Sequence, residues 1–217
     1  MLQTLSTNKL VYWKSHLNKV LTDFIETGVY DRNRDFYATC SPSMDILISS
    51  NLERLLYMIT DQNDAQIREW FGSLAETGRY EVTDDVKKVL KEEFFGGYCD
   101  DEQTKATISE IYKKYSYTCD THTAVAVKVY EDYKKATGDE TKTLIASTAS
   151  PYKFSASVLE AIEGKKSELD EYDMVARLAE LPVPSALADL KNKERRFTGS
   201  IEKSDMNSYV LKDFGLA

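Results

Sequence analysis

Three cysteines, four prolines and two histidines are all that 217 residues contain, and each scarcity removes a class of explanation. Cys40, Cys99 and Cys119 are odd in number and form no CxxC pair, which suits neither a disulfide scaffold nor a zinc site. No HExxH, GxGxxG, GxxxxGK[ST] or GxSxG motif occurs, so zincin, dinucleotide, P-loop and hydrolase readings have no support. No stretch approaches the roughly 20 apolar residues of a membrane-spanning helix. The first eleven residues carry a single basic side chain, Lys9, and no long apolar run, so neither a signal nor a transit peptide is expected. Basic residues are the minority, 28 against 36 acidic, for a net charge of −8. That balance repels phosphate backbones and anionic lipid, so neither nucleic acid nor a membrane surface is expected as a partner. A reducing cytoplasm is the expected location.

What is present is ordinary globular chemistry. With 42% hydrophobic and 29% charged residues, a chain of this length buries roughly 70% of its unfolded surface. Length alone allows one large domain or two small ones. Ile108, Ile111, Tyr112 and Tyr115 recur at helical spacing behind the acidic turn Asp100-Asp101-Glu102, whose charges suit a helix start. A second helix is expected over about 123–136, with Gly138 as its stop. Thr143 to Thr148 reads as a buried strand running into a hydroxyl-rich loop. Phe154, Val158, Leu159 and Ile162 then form a helix closed by Gly164. An acidic helix around Tyr172 to Leu181, a Pro182-Val183-Pro184 break and short helices over 186–190 and 205–213 complete the chain. Residues 52–91 read as mostly helical, broken near 61–64 and 76–78. Gly96-Gly97 reads as a strand-to-helix turn. The alternation predicts an α/β layer with parallel strands, whose ligand sites lie at strand C-termini. The fourteen tyrosines, without a basic groove, read as core residues rather than a base-stacking platform.

Three segments exceed what packing needs. Thr39 to Leu47, with Ser41, Ser43 and Asp45 around Pro42, leads into a helix; its spare hydroxyls either cap that helix or hold an anion. Asp120-Thr121-His122-Thr123 opens the second helix, where His122 beside Asp120 is either a proton carrier or part of a cap. Ser147, Thr148 and Ser150 crowd the end of the Thr143 strand, ahead of Lys153, where desolvated hydroxyls need partners and α/β proteins place ligands.

Taken in order, these blocks resemble the second half of threonine synthase. The resemblance is carried by Val20-Leu21-Thr22-Asp23-Phe24, Thr27-Gly28-Val29-Tyr30-Asp31, Ser41-Pro42-Ser43-Met44-Asp45-Ile46-Leu47, Asn51-Leu52-Glu53-Arg54, Asp120-Thr121-His122-Thr123-Ala124 and Ser147-Thr148-Ala149-Ser150-Pro151-Tyr152-Lys153-Phe154. It spans 19–217 as a single α/β domain and sets aside 1–18, which does not match.

The resemblance implies helices packed on a partial parallel sheet, as in the large domain of fold-type II pyridoxal phosphate enzymes, and conversion of O-phosphohomoserine and water to threonine and phosphate. It places the Thr148 hydroxyl at the pyridine nitrogen of pyridoxal phosphate with Ser147 beside it. Ser150, Lys153, Ser41, Ser43, Asp45 and His122 fall on the substrate side, with Lys153 toward the substrate phosphate. No residue here matches the family's Schiff-base lysine, its ring-stacking asparagine or its glycine-rich phosphate cup, and Thr121 stands where the family has proline. The implied chain is a truncated C-terminal portion, inactive alone, self-associating or paired with a separate N-terminal half. The alternatives are a non-catalytic interaction module and a threonine synthase-like phospholyase of different substrate.

Overall fold

In the computed structural model the described residues are 2–6, 10–15, 18–178 and 183–216. The chain divides into two compact units, Met1–Glu180 and Leu181–Ala217. The expected end of the acidic helix at Leu181 and part of the Pro182 break lie outside the described residues.

The first unit opens with strands β1 (Leu2–Ser6) and β2 (Leu10–Ser15), then α1 (Val20–Thr27) and β3 (Val29–Asp31). Next come α2 (Ser50–Ile59), α3 (Asp64–Thr77), β4 (Arg79–Glu81), α4 (Asp84–Glu93) and β5 (Phe94–Cys99). Helices α5 (Asp101–Tyr115) and α6 (Thr121–Thr137), strand β6 (Thr143–Ile145), and helices α7 (Ser155–Glu163) and α8 (Glu171–Arg177) close it. The sheet order is β5-β2-β1-β6, with β2 and β5 parallel and β1 antiparallel to both its neighbours. Three of the four strands therefore run one way, a partly parallel sheet among many helices.

The helices stand where local chemistry puts them. Asp100 caps α5 in a full capping box with Gln103, and Asp120 caps α6. Gly138 and Gly164 end α6 and α7 in the left-handed conformation, which glycine enters without a Cβ penalty. Of the expected α5 stripe, Ile108 and Ile111 are buried while Tyr115 is exposed.

Gly96 and Gly97 are not a turn. They lie inside β5, paired with Tyr12 and Trp13 of β2. A Cβ on Gly96 would stand 3.1 Å from the Thr22 carbonyl of α1, and one on Gly97 would stand 2.5 Å from a methyl of Val129 on α6. Successive strand residues face opposite sides, so α1 and α6 cover opposite faces of the sheet and both sit close because the strand has no side chains there. Thr22 Oγ1 donates to the Gly97 carbonyl at 3.0 Å, tying α1 down. Gly97→Ala is expected to cost about 1–3 kcal/mol by overpacking against Val129. Chemical denaturation checks it, and an unchanged midpoint would contradict the close approach.

The α1 face of the sheet carries the larger core, drawn from α1, α2, α3, α4 and the β3-β4 ribbon. Tyr30 and Tyr80, paired across that ribbon, stack with centroids 5.3 Å apart, and Phe24, Trp70 and Phe71 pack against Tyr80. The Tyr30 hydroxyl donates to the Leu47 carbonyl and accepts from the Ser49 amide. Burial pushes its pKa up to about 12. These tyrosines are core residues, as expected. On the other face Val125, Ala126 and Val129 of α6 meet Cys99.

The second unit contains α9 (Ser185–Ala188) and α10 (Met206–Asp213), and none of its described residues is buried. Among the described residues no helix is long and apolar enough to cross a membrane.

Candidate functional site

The structure brings Ser41, Ser43, Asp45, His122 and Lys153 together from three distant segments. The loop over 37–45 is the organiser. Asn18, fully buried, donates through Nδ2 to the Tyr37 carbonyl and to Asp45 Oδ1 at 2.9 Å, and accepts from the Tyr37 amide. Thr39 gives its amide and its hydroxyl to the same Asp45 carboxylate. The Cys40 amide donates to the Asp101 carboxylate at the start of α5. Asp45 thus holds the loop rather than facing solvent. Asn18 has no local sequence signal for this, because its partners Tyr37 and Asp45 are distant in sequence, whereas Thr39 and Asp45 lie in one short segment.

Ser41 Oγ is hydrogen-bonded to His122 Nδ1 across 81 positions of sequence. His122 is 3% exposed, its ring packs edge-on to Phe154 at 4.6 Å, and its Nε2 has no hydrogen-bond partner among the described residues. Lys153 lies in a 3-10 turn over Pro151–Phe154 and donates from Nζ to Ser43 Oγ at 3.1 Å. Both are exposed.

The Asp120 carboxylate is directed at the backbone and not at the imidazole: it accepts from the His122 and Thr123 amides and from the Thr123 hydroxyl. The cap and the candidate proton carrier are therefore separate devices. Ser147 joins the Asp120 end: its Oγ accepts from Thr123 at 3.1 Å and donates to Asp120 Oδ2 at 3.5 Å. Ser150 caps the 3-10 turn by accepting from the Tyr152 amide.

The hydroxyl run does not end a buried strand. Among the described residues strand β6 pairs only with β1, at the end of the sheet order, and Leu144 is 69% exposed. Ser147, Thr148 and Ser150 are all exposed. An edge position leaves the strand's outer side uncovered, so these hydroxyls form a surface and not a desolvated pocket within the described residues.

Burial pulls the His122 pKa below its ordinary 6.5, with Lys153 acting the same way and Asp120 and Asp45 opposing it. The imidazole is neutral near pH 7. A folded-state pKa below the unfolded one means the unfolded chain binds more protons. Stability is therefore held above about pH 6.5 and lost as pH falls through the folded pKa. Urea unfolding at pH 7.5 and 5.5 should show the loss, and His122→Gln should flatten it. Burial also raises Cys99 to about 11 and Cys119 to about 12, so neither thiol is a nucleophile near neutral pH.

The family model described as "Threonine synthase, C-terminal" matches residues 123–209. The chain is 32% identical over 203 residues to human "Threonine synthase-like 1", covering 91% of this chain and 27% of that protein. It is 31% identical over 201 residues to the threonine synthase of Methylobacillus glycogenes, covering 91% of this chain and 38% of that protein. The crystal structure of pyridoxal phosphate-bound threonine synthase from Brucella melitensis superposes with a TM-score of 0.73 at 29% identity, over 94% of this chain and 40% of that one. Yeast threonine synthase gives 0.74 at 26% identity, over 97% and 43%.

By sequence and by fold, the chain corresponds to a C-terminal portion of threonine synthase. It spans about a third of the length of the curated relatives it matches. The family match takes in α6 from Thr123 onward and the hydroxyl run, and begins one residue after His122. The mixed α/β architecture is that of these threonine synthases, the fold-type II class of pyridoxal phosphate enzymes.

Proposed function

We propose that this chain supplies one wall of a pyridoxal phosphate site in a threonine synthase, which converts O-phosphohomoserine and water to threonine and phosphate. The observation that carries the reading is the convergence of Ser41, Ser43, His122 and Lys153 beside the hydroxyl run. The residues fit the group in two respects. A neutral hydroxyl such as that of Thr148 suits a pyridine nitrogen, and the buried, unpartnered Nε2 of His122 is the kind of group a bound molecule satisfies. Pyridoxal phosphate, when bound, supplies the electron sink.

The chain's own residues bind and orient. Thr148, with Ser147 beside it, would face the cofactor ring. Lys153 is a point charge suited to a phosphate, and Ser43, its hydrogen-bond partner, adds a donor. Ser150 fixes the turn that carries Lys153. Asp45 and Asn18 keep the Ser41 loop in place. The resemblance assigns no Schiff-base lysine in 19–217, so the isolated chain should not turn over. Borohydride treatment with pyridoxal phosphate should label no unique lysine, and O-phosphohomoserine should release no phosphate; steady turnover would overturn the reading.

A second reading, pairing with a separately encoded N-terminal half, is favoured by Leu144, a large apolar side chain exposed on the edge strand beside the hydroxyl run. A strand at the end of a sheet is a template on which another chain can pair. Mixing the chain with the N-terminal portion of a relative should restore phosphate release, and no complex at micromolar concentrations would count against it. The chemistry is compatible with a cytoplasmic setting.

A further inference from the structure

A cavity of about 340 Å³ opens between α5, α7 and α8, and it contains none of the residues assigned above to cofactor or substrate. Its volume is at the small end of the range for ligand pockets. The floor is apolar. Leu159 of α7 and Leu178 at the end of α8 are buried there, with Ile162 and Tyr112 half-buried beside them. The rim is charged. Arg177 of α8 donates from Nε to Glu163 Oε1 of α7 at 3.0 Å, with the two side chains 66% and 25% exposed.

That ion pair leaves most of its hydrogen-bonding capacity unused. A guanidinium has five N–H donors and a carboxylate two oxygens, yet one of each is engaged. The Arg177 Nη groups and Glu163 Oε2 bond no other described residue. Thr118, between α5 and α6, lines the same cavity; it is 9% exposed, and its hydroxyl also has no partner among the described residues. Buried hydroxyls are ordinarily satisfied. An exposed ion pair contributes little to stability, so holding two helices together does not account for this arrangement.

The free groups specify a complement. A planar donor edge beside a carboxylate matches a carboxylate beside an ammonium, which is the main-chain end of an α-amino acid. A fatty acid would set its carboxylate against Glu163, and an alkylamine would set its ammonium against Arg177. Like charges so placed are penalised, and a zwitterion avoids both penalties. The apolar floor then takes the side chain.

We propose that the cavity between α5, α7 and α8 binds an aliphatic α-amino acid. Its carboxylate accepts from the Arg177 Nη groups, its ammonium donates to Glu163 Oε2 and Thr118 Oγ1, and its side chain packs on Leu159 and Ile162. The site shares no residue with the Thr148, His122 and Lys153 assignments, so it does not depend on them.

The test titrates L-leucine into the full 15N-labelled chain without cofactor and follows the backbone amide spectrum. Leucine should shift the amides of Thr118, Ile162, Glu163 and Arg177 saturably, at millimolar concentration or below. Arg177→Gln and Glu163→Gln should each weaken it by about tenfold or more, the factor that loss of a hydrogen bond to a charged group carries. Both side chains sit at the rim, so the unfolding midpoint should stay near that of the wild type. Isocaproate, which lacks the ammonium, and isoamylamine, which lacks the carboxylate, should each bind about tenfold or more weaker than leucine. Glycine should do the same, since it has no side chain to bury. No saturable shift, shifts confined to other parts of the chain, variants that bind as well as the wild type, or either single-charge analogue binding as tightly as leucine would each overturn the proposal.

Discussion

Asp120→Ala should lower the unfolding free energy by about 2–4 kcal/mol, more than an ordinary helix cap contributes. A lost cap costs about 1 kcal/mol, whereas buried donors left without an acceptor add about 1–3 kcal/mol. Asp120 is 1% exposed, and its carboxylate accepts from two amides and the Thr123 hydroxyl. The substitution strands all three, and with them the anchor of Ser147. It also loosens the first turn of α6, on which His122 rides. Asp120→Asn keeps one acceptor oxygen and should recover about half of the loss. Urea denaturation followed by the fluorescence of Trp70, buried in the larger core, measures both. A change below about 0.5 kcal/mol for the alanine variant would mean that solvent replaces the carboxylate, contrary to its burial.

Phe24→Ala should cost about 3–5 kcal/mol, a third or more of the stability of an ordinary domain. Phe24 has no exposed surface, and its ring meets those of Tyr30 and Tyr80 with centroids 5.8 and 5.9 Å away. Removing it opens a void beneath the β3-β4 ribbon that the stacked tyrosines cannot fill without breaking the Tyr30 bonds to Leu47 and Ser49. Those bonds set the path from the site loop into α2. The near-ultraviolet circular dichroism of the tyrosines should fall together with the unfolding midpoint, while Phe24→Leu should retain most of both. A full loss of stability with unchanged tyrosine dichroism would place the damage outside this cluster.

Both predictions concern residues whose importance was legible to different degrees. Asp120 announces itself, because an acid directly before a hydroxyl- and alanine-rich helical run is a cap whose partners lie within three residues. Phe24 is only one of many aromatics until the ribbon pairs Tyr30 with Tyr80. The same distinction runs through the molecule. The sequence by itself determined α5, α6 and α7, since their caps, glycine stops and apolar spacing are local, and it singled out Ser41, His122, Thr148 and Lys153 by their chemistry and family-like order. Tertiary structure alone decided that Gly96-Gly97 is a strand held between two helices, that β6 is an exposed edge, that Asn18 grips Asp45, and that Ser41 reaches His122. The reason is one of range: a cap or a turn is fixed by backbone groups a few residues away, whereas close approach, edge position and a hydrogen bond spanning 81 residues exist only once the chain has folded.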